Sequence, residues 1–217
     1  MSELKFYSQY DEDKVIYNKF FKDNNPERGI FVELGGFDGV KWSNTKFFED
    51  TLGWTGVLIE PIPEQFEKLK INRPNCQNIN LAVSKIEGDV KFIGINEQAT
   101  LKHMIPKSKQ KHYEKFSEDR YYTVKSKPIY KILNDCNITY VDALFIDVEG
   151  AEQVVLDTFD WDIPVHVIAI ETDKNDVERS GSIDNTLKSH GFIFVRRLSW
   201  TDVWYNPTYD RNSKYLK

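Results

Sequence analysis

The sequence predicts an α/β fold in which helices cover both faces of a mostly parallel sheet. Four short apolar runs are rich in β-branched residues and lack clean alternation, which is typical of strands buried on both faces: residues 30–34, 57–59, 143–146 and 165–170. Helix-like stretches alternate with these runs, as in a doubly wound sheet: residues 44–52, 63–69, 151–159 and 183–190.

The remaining segments extend this prediction. Residues 1–28 should form an N-terminal cover, with a helix over roughly residues 11–22 along one edge of the sheet. Residues 192–195 and 202–205 predict a hairpin that closes the sheet with an antiparallel strand. Residues 96–119 are polar, rich in lysine and without a strong period, so we expect a lid-like excursion. The whole chain is expected to form one domain.

Composition excludes several classes of protein. A chain of 217 residues with 40% apolar and 14% aromatic residues can bury one core. Its net charge of −5 argues against general electrostatic binding to nucleic acid. No apolar run approaches the roughly 20 residues that cross a bilayer, and the N-terminus lacks an apolar signal core. We therefore expect a soluble, cytoplasmic protein that does not bind membranes.

A glycine-rich loop follows the first predicted strand. The stretch FVELGGFDG (residues 31–39) contains Gly35, Gly36 and Gly39. Ligands of α/β sheets bind at the carboxyl ends of strands, where glycines let the backbone approach closely. The spacing is not the GxGxxG of dinucleotide-binding proteins. The loop alone fits a ligand site and a structural tight turn equally well.

Acidic residues narrow the choice of ligand. Glu60 ends the second predicted strand, about 20 residues beyond the loop, where a carboxylate can accept hydrogen bonds from both hydroxyls of a ribose. That position serves NAD and S-adenosylmethionine alike. Glu33 and Asp38 would repel a pyrophosphate, but their charge suits the cationic methionine end of S-adenosylmethionine. The loop therefore favours S-adenosylmethionine.

Three strings, in this order, resemble those of the FkbM family of S-adenosylmethionine-dependent O-methyltransferases: FVELGGFDGVKWSNTKFFEDTLGWTGVLIEPIPEQFEKL from residue 31, NLAVS from residue 80 and FIDVEGAE from residue 145. The resemblance covers about residues 29–194. It implies a Rossmann-like class I methyltransferase sandwich, with a seven-stranded, mostly parallel sheet and an antiparallel C-terminal strand. It also implies methyl transfer to a hydroxyl, often of a sugar, a glycan or a related small molecule.

The resemblance also implies which residues bind the donor. The residues that would bind the methionine part of S-adenosylmethionine are Glu33, Gly35, Gly36, Asp38, Gly39 and Asn44, and Asp147 and Glu149 would lie nearby. Glu60 would bind the ribose, and the residues beside the adenine would be Pro61, Ile62, Ala82 and Val83. Asn44 could instead cap a helix, and Ala82 and Val83 could be plain core. The family more often has Ala-Asn at positions 36 and 37, which puts a side-chain contact from Phe37 in doubt.

The residues for chemistry lie at the ends of two later strands. Asp147 and Glu171 follow adjacent apolar strands, and Asp173 comes shortly after. A charge at the end of an apolar strand needs a partner or a function. These three carboxylates could hold Mg²⁺ or Mn²⁺, or one could serve as the base that deprotonates a hydroxyl. His103, within the excursion, is the histidine placed to reach over an acceptor.

Three alternative functions remain open at this point. A nucleic-acid methyltransferase is the first, since residues 206–209 (NPTY) are similar to the NPPY-type loop of amino-methylating enzymes. That string follows the last strand rather than the fourth, which favours a coincidence. A non-catalytic nucleotide-binding module and a nicotinamide-dependent dehydrogenase are the others. The sequence does not specify the acceptor or the oligomeric state.

Overall fold

The structure, a computed structural model, describes residues 4–93, 100–101, 105, 110–115, 121–173 and 175–211. His103 and most of the predicted excursion therefore lie outside the described residues. The described strands, in chain order, are β1 (Ile30–Leu34), β2 (Thr55–Ile59), β3 (Gln77–Ile79), β4 (Ala82–Val83), β5 (Gly88–Ile93), β6 (Thr100–Leu101), β7 (Tyr121–Lys127), β8 (Val141–Ile146), β9 (Val165–Glu171), β10 (Ile193–Leu198) and β11 (Thr201–Tyr205). The described helices are α1 (Glu12–Ile16), α2 (Lys46–Leu52), α3 (Pro63–Asn72), α4 (Gln110–Tyr113), α5 (Ile129–Asp135), α6 (Glu152–Asp157) and α7 (Val177–Ser189).

A seven-stranded sheet forms the centre of the fold, in the order β10-β11-β9-β8-β1-β2-β3. Strand β1 pairs in parallel with β2 and β8, and β8 pairs in parallel with β9. Strand β11 runs antiparallel to both β9 and β10. The predicted α/β class, the mostly parallel sheet and the antiparallel C-terminal hairpin are confirmed.

Helices on both faces explain why the central strands are apolar throughout. All residues of β8 are buried. Successive strand residues point to opposite faces, so Leu144 packs in one core with α5, α6 and α7. Its neighbour Phe145 packs in a second core with Phe47 of α2 and Leu69 of α3. Two-sided burial therefore produces the apolar runs by which the sequence predicts these strands.

The N-terminal cover packs on the second of these cores. Helix α1 continues into a π-helical turn, Tyr17–Phe21, so the predicted helix over residues 11–22 is present in this form. Ile16 and Phe21 are buried against the sheet. No helix among the described residues is long and apolar enough to cross a membrane.

A second sheet, in the order β4-β7-β5-β6, is absent from the sequence-based prediction. Strand β6 and helix α4 lie inside the segment predicted as a lid-like excursion. These strands mix buried and charged residues, as in Val124 beside the exposed Lys125, so they lack the apolar runs of the main sheet. The second sheet packs through Val90 and Phe92 against Ile62 and Ala151, at the edge where the main parallel strands end.

Candidate functional site

A cavity of about 530 Å³ opens at the carboxyl ends of β1, β2, β8 and β9. This volume lies within the range of small-ligand pockets, roughly 300–1,000 Å³. Strand β4 and the turns before α2 and α6 also contribute to its walls. The position is the one at which doubly wound sheets bind ligands. Most of the residues predicted for donor binding and chemistry line this cavity.

The glycine-rich loop is shaped first by packing. Gly35 has a φ of +84°, and a Cβ at this position would come within 2.0 Å of the Asp147 carbonyl oxygen. The Asp147 N–H in turn donates to the Leu34 carbonyl at 3.2 Å. Gly35 therefore lets the end of β1 pass close to the end of β8. Gly35 and Gly36 line the cavity.

Gly39 and Asp38 are placed differently from the expectation. Neither is among the described residues that line the cavity. Gly39 has a φ of +80° and makes room for the side chains of Arg73 and Leu69. The Asp38 carboxylate accepts hydrogen bonds from the N–H groups of Val40 and Lys41, at 2.9 and 2.8 Å. Because these bonds close the turn locally, Asp38 shapes the loop and does not face the cavity.

Glu33 organises the turn that precedes α2. It is buried, and its carboxylate accepts hydrogen bonds from the Ser43 hydroxyl (3.0 Å), the Asn44 N–H (2.7 Å) and the Thr45 hydroxyl (2.5 Å). Burial raises the pKa of Glu33, and the nearby Arg73 guanidinium and these hydrogen bonds limit the rise. Thr45, not Asn44, occupies the N-cap position of α2, and its side chain makes no capping hydrogen bond. Asn44 lines the cavity instead.

Arg73 is a structural member of the site that the sequence does not reveal. Its side chain is fully buried and pairs with Glu49. The guanidinium also donates to the Gly39 carbonyl (3.2 Å) and to the hydroxyls of Ser43 (3.1 Å) and Thr45 (3.0 Å). It thus joins the glycine-rich loop to the turn held by Glu33. In the sequence Arg73 reads as an ordinary residue at a helix end, since its partners are far away along the chain.

Glu60 lies in the cavity wall at the end of β2. It is only 5% exposed, and its two oxygens accept hydrogen bonds from the N–H groups of Phe37 (2.9 Å) and Ile62 (2.8 Å). Burial raises its pKa to about 7, against the lowering effect of these bonds. A carboxylate oxygen has two lone pairs, so each oxygen can accept another hydrogen bond. The neighbouring apolar wall is formed by Pro61, Ile62, Ala82 and Val83.

A cluster of three carboxylates, which we call the acidic rim, lies across the cavity. One oxygen from each of Asp147, Glu149 and Glu171 lies within 4.8 Å of the others. The predicted set was Asp147, Glu171 and Asp173; the structure brings Glu149, instead of Asp173, close to the other two. Asp173 lines the cavity but does not belong to the rim.

The backbone explains why Glu149 takes part. Its φ of 51° is left-handed, and Gly150 follows with a φ of 124°. Glu152 is buried and accepts hydrogen bonds from the N–H groups of Val148 (3.3 Å) and Gly150 (3.0 Å), while it pairs with Arg179. These contacts fold the turn back on itself, so Glu149 is held beside the ends of β8 and β9. A reversal of this kind is not evident in the string DVEGAE.

Two histidines and the NPTY string have structural surroundings. His166 stacks on Tyr209 with ring centroids 4.8 Å apart, and His190 stacks on Trp161 at 4.1 Å. The Asn206 side chain accepts hydrogen bonds from the N–H and the hydroxyl of Thr208. None of these residues is among the described residues that line the cavity. The similarity to an amino-methylating loop therefore has no counterpart at the site.

The mouth of the cavity includes residues that the sequence analysis passed over. They come from the N-terminal segment, from the turn before α2 and from the β10–β11 turn: Gln9, Tyr10, Glu12, Trp42, Trp200 and Thr201. Tyr10, Trp42 and Trp200 are exposed to solvent. The only signal in the sequence was their residue type, a large aromatic near a turn.

The sheet order and the antiparallel β11 are those of the Rossmann-like class I methyltransferase fold, and a ligand-sized cavity opens at the ends of β1 and β2. Residues 30–194 match the sequence profile described as Methyltransferase FkbM domain. The chain belongs to the FkbM methyltransferase family. No curated protein sequence matches it.

Similar solved structures share little sequence with the chain. Fibrillarin from Aeropyrum pernix, in complex with natively bound S-adenosyl-L-methionine, is 14% identical, with a TM-score of 0.48 over 91% of this chain and 73% of that chain. A TehB-like S-adenosylmethionine-dependent methyltransferase from Corynebacterium glutamicum is 9% identical, with a TM-score of 0.42 over 92% of this chain and 89% of that chain.

Proposed function

We propose that this methyltransferase is an O-methyltransferase that acts on a hydroxyl of a sugar, a glycan or a related small molecule. The observation that carries the proposal is one cavity with two chemically different walls. Glu60 and an apolar surface form one wall, and the acidic rim of Asp147, Glu149 and Glu171 forms the other. The wall with Glu60 suits a nucleoside, and the acidic rim suits hydroxyl groups, which donate hydrogen bonds and can lose a proton.

The donor side of the cavity fits S-adenosylmethionine, which when bound supplies a methyl group on a cationic sulfonium. The two oxygens of Glu60 have remaining capacity to accept hydrogen bonds from both ribose hydroxyls. Ile62, Ala82 and Val83 offer an apolar surface to the adenine. Gly35, Gly36 and Asn44 line the wall beside the methionine part. In this proposal Glu33 acts by holding the turn at Asn44, because its carboxylate already accepts three hydrogen bonds.

The acidic rim provides the acceptor chemistry. A hydroxyl is a poor nucleophile, so its proton has to leave as the new carbon–oxygen bond forms. Asp147, Glu149 and Glu171 can accept that proton or orient the hydroxyl through hydrogen bonds. Their oxygens are also the ligand type that Mg²⁺ and Mn²⁺ prefer, and a bound divalent ion would lower the hydroxyl pKa. His103 stays a base candidate on the sequence argument alone.

The acceptor can be identified with isotope-labelled S-adenosylmethionine. The purified chain would be incubated with free sugars, methyl glycosides and glycans, and in parallel with RNA, DNA and protein, each with and without divalent ions. The expected product is a sugar methyl ether, identified by mass spectrometry and NMR. Label that enters only nucleic acid or protein, or that forms a nitrogen–methyl bond, would contradict the proposal. Glu60→Ala serves as the donor-binding control, and Tyr130→Ala, an exposed position on α5, serves as the folded control.

A further inference from the structure

Three aromatic side chains of the cavity lining are exposed to solvent, and we call them the aromatic rim. Tyr10 is 38% exposed, and Trp42 and Trp200 are each 40% exposed. All three line the cavity. Rings of this size are usually packed away from water, so a group of them at a cavity mouth marks a binding surface. They come from three separate parts of the chain.

A buried carboxylate connects two members of the aromatic rim. Glu12 is 4% exposed and accepts hydrogen bonds from the Tyr10 N–H and from the Thr201 hydroxyl, both at 2.9 Å. Thr201 directly follows Trp200. Glu12 therefore fixes the N-terminal segment to the β10–β11 turn and holds Tyr10 near Trp200.

The third member is held in an unfavourable backbone conformation. Trp42 has a φ of 59°, which is uncommon for a bulky residue and is found mainly where surrounding structure imposes it for function. A parallel β-bridge joins Trp42 to Ser8, and the Ser8 hydroxyl donates to Asp13 at 2.6 Å. The ammonium group of Lys41 lies 3.8 Å from the centre of one Trp42 ring. These contacts keep the indole at the cavity mouth.

The aromatic rim adjoins the acidic rim. The Trp200 carbonyl accepts a hydrogen bond of 2.7 Å from the N–H of Thr172, the residue after Glu171. Thr201 also pairs in register with Glu171 across β11 and β9. The turn that carries the Trp200 ring is therefore bonded to the strand end that carries a carboxylate of the acidic rim.

We infer that Tyr10, Trp42 and Trp200 bind the apolar face of a sugar ring of the acceptor, an inference that rests on the proposed function. A pyranose has a face of C–H groups, which packs on aromatic rings, and an edge of hydroxyls, which suits the acidic rim. Nucleobases also stack on aromatic rings. However, the acidic residues that line the same cavity, among them Asp147, Glu149 and Glu171, outnumber the basic residues Lys41 and Arg179, and this excess of negative charge disfavours the phosphates of a nucleic acid. The chemistry therefore favours a neutral sugar.

Binding and turnover should be measured separately. The protein saturated with S-adenosylhomocysteine would be titrated with a panel of neutral methyl glycosides, using saturation-transfer NMR and calorimetry. Trp42→Ala and Trp200→Ala should each weaken glycoside binding about tenfold, the size of effect expected when one packed aromatic ring is lost. Trp42→Phe and Trp200→Phe should recover part of the loss. Affinity for S-adenosylhomocysteine should be unchanged in all four variants, which also shows that they fold.

Tyr130→Ala is the matched control, because Tyr130 is 42% exposed and is not among the described residues that line the cavity. It should bind glycosides like the wild type. The inference is overturned if the wild type binds no methyl glycoside, if the tryptophan variants bind as well as the wild type, or if a single-stranded oligonucleotide shows the same dependence on the aromatic rim. Glycoside binding through this rim without methyl transfer would overturn the proposed function and would leave the rim as a sugar-binding surface only. Methylation of a sugar hydroxyl, with a KM unaffected by the tryptophan variants, would overturn only this inference.

Discussion

The N–H of Phe37 donates a 2.9 Å hydrogen bond to the carboxylate of Glu60, which fastens the loop after β1 to the end of β2. Two strands that meet side by side in the sheet are thus also joined at the edge where ligands bind. Phe37 makes this connection through its backbone, which has a φ of 47°.

Glu60→Ala should weaken binding of S-adenosylmethionine by about 1.5–3 kcal/mol, because two charge-assisted hydrogen bonds to the ribose are lost. Calorimetry measures the change. Glu64→Ala, at an exposed position on α3, removes a carboxylate nearby and should have little effect. A folded Glu60→Ala protein with wild-type affinity would remove Glu60 from the donor site.

Donor affinity should fall as the pH is lowered through about 7, the value to which burial raises the pKa of Glu60. The ionised carboxylate accepts hydrogen bonds from the ribose hydroxyls, whereas the protonated form loses part of that capacity. Because donor binding favours the ionised form, acidification opposes it, by at most about tenfold per pH unit for one proton. Titrations between pH 6 and 8 test the slope. Glu60→Gln should flatten it, and an affinity that rises on acidification would contradict the assignment.

Gly35→Ala should lower the free energy of unfolding more than Gly53→Ala does, although both glycines have a positive φ. A Cβ at Gly53 would meet no atom of the described residues within 4 Å, so only the left-handed backbone matters there, at roughly 1–2 kcal/mol. At Gly35 the Cβ would also overlap the Asp147 carbonyl, which should add roughly 1–3 kcal/mol. Urea unfolding compares the two variants. Equal losses would show that the ends of β1 and β8 separate easily.

The acidic rim is tested by conservative substitution together with chelation. Asp147→Asn, Glu149→Gln and Glu171→Gln should each reduce turnover by about 10²–10⁴-fold if the rim manages the hydroxyl proton. Asp173→Asn should have a smaller effect, because Asp173 lies outside the rim. If a divalent ion is held there, a chelator abolishes turnover and leaves donor affinity nearly unchanged, and Mg²⁺ or Mn²⁺ restores activity. Full activity after exhaustive chelation would exclude the ion and leave a carboxylate or His103 as the base.

The sequence predicts the main sheet well because its signal is local. Burial on both faces of β8 demands an apolar run, and that run is visible without any knowledge of its neighbours. The position of Glu60 could be predicted in the same way, because a charged residue directly after an apolar run is easily recognised in the sequence. Helix α7 starts earlier than predicted, at Val177, because the Asp176 side chain caps it by accepting from the Arg179 N–H. Asp176 is visible in the sequence, but it precedes the periodic apolar residues from which the helix was predicted.

The parts that were missed depend on contacts between distant residues. Arg73 is buried only because Glu49 and the turn at Ser43 are brought to it. Glu12 enters the cavity wall because a hydroxyl on the last strand donates to it. The residues next to Arg73 and Glu12 in the sequence give no indication that these charged side chains are buried. Glu149 was expected near the donor, and the left-handed turn that places it beside Glu171 could not be foreseen from its residue type.

The reversal of β11 affects how this enzyme could be re-engineered. Because β11 runs against β9, the turn at Ser199 and Trp200 emerges at the edge where the parallel strands end. Side chains there could be exchanged while the backbone hydrogen bond from the Thr172 N–H to the Trp200 carbonyl is kept, since this bond and the pairing of Thr201 with Glu171 fix the end of the turn. The cavity wall that contains Glu60 lies on the opposite side of the central strand β8, and such exchanges would not alter the side chains of that wall. If Trp200 binds the acceptor as we infer, substitutions in this short turn should change the acceptor preference and leave donor binding unchanged.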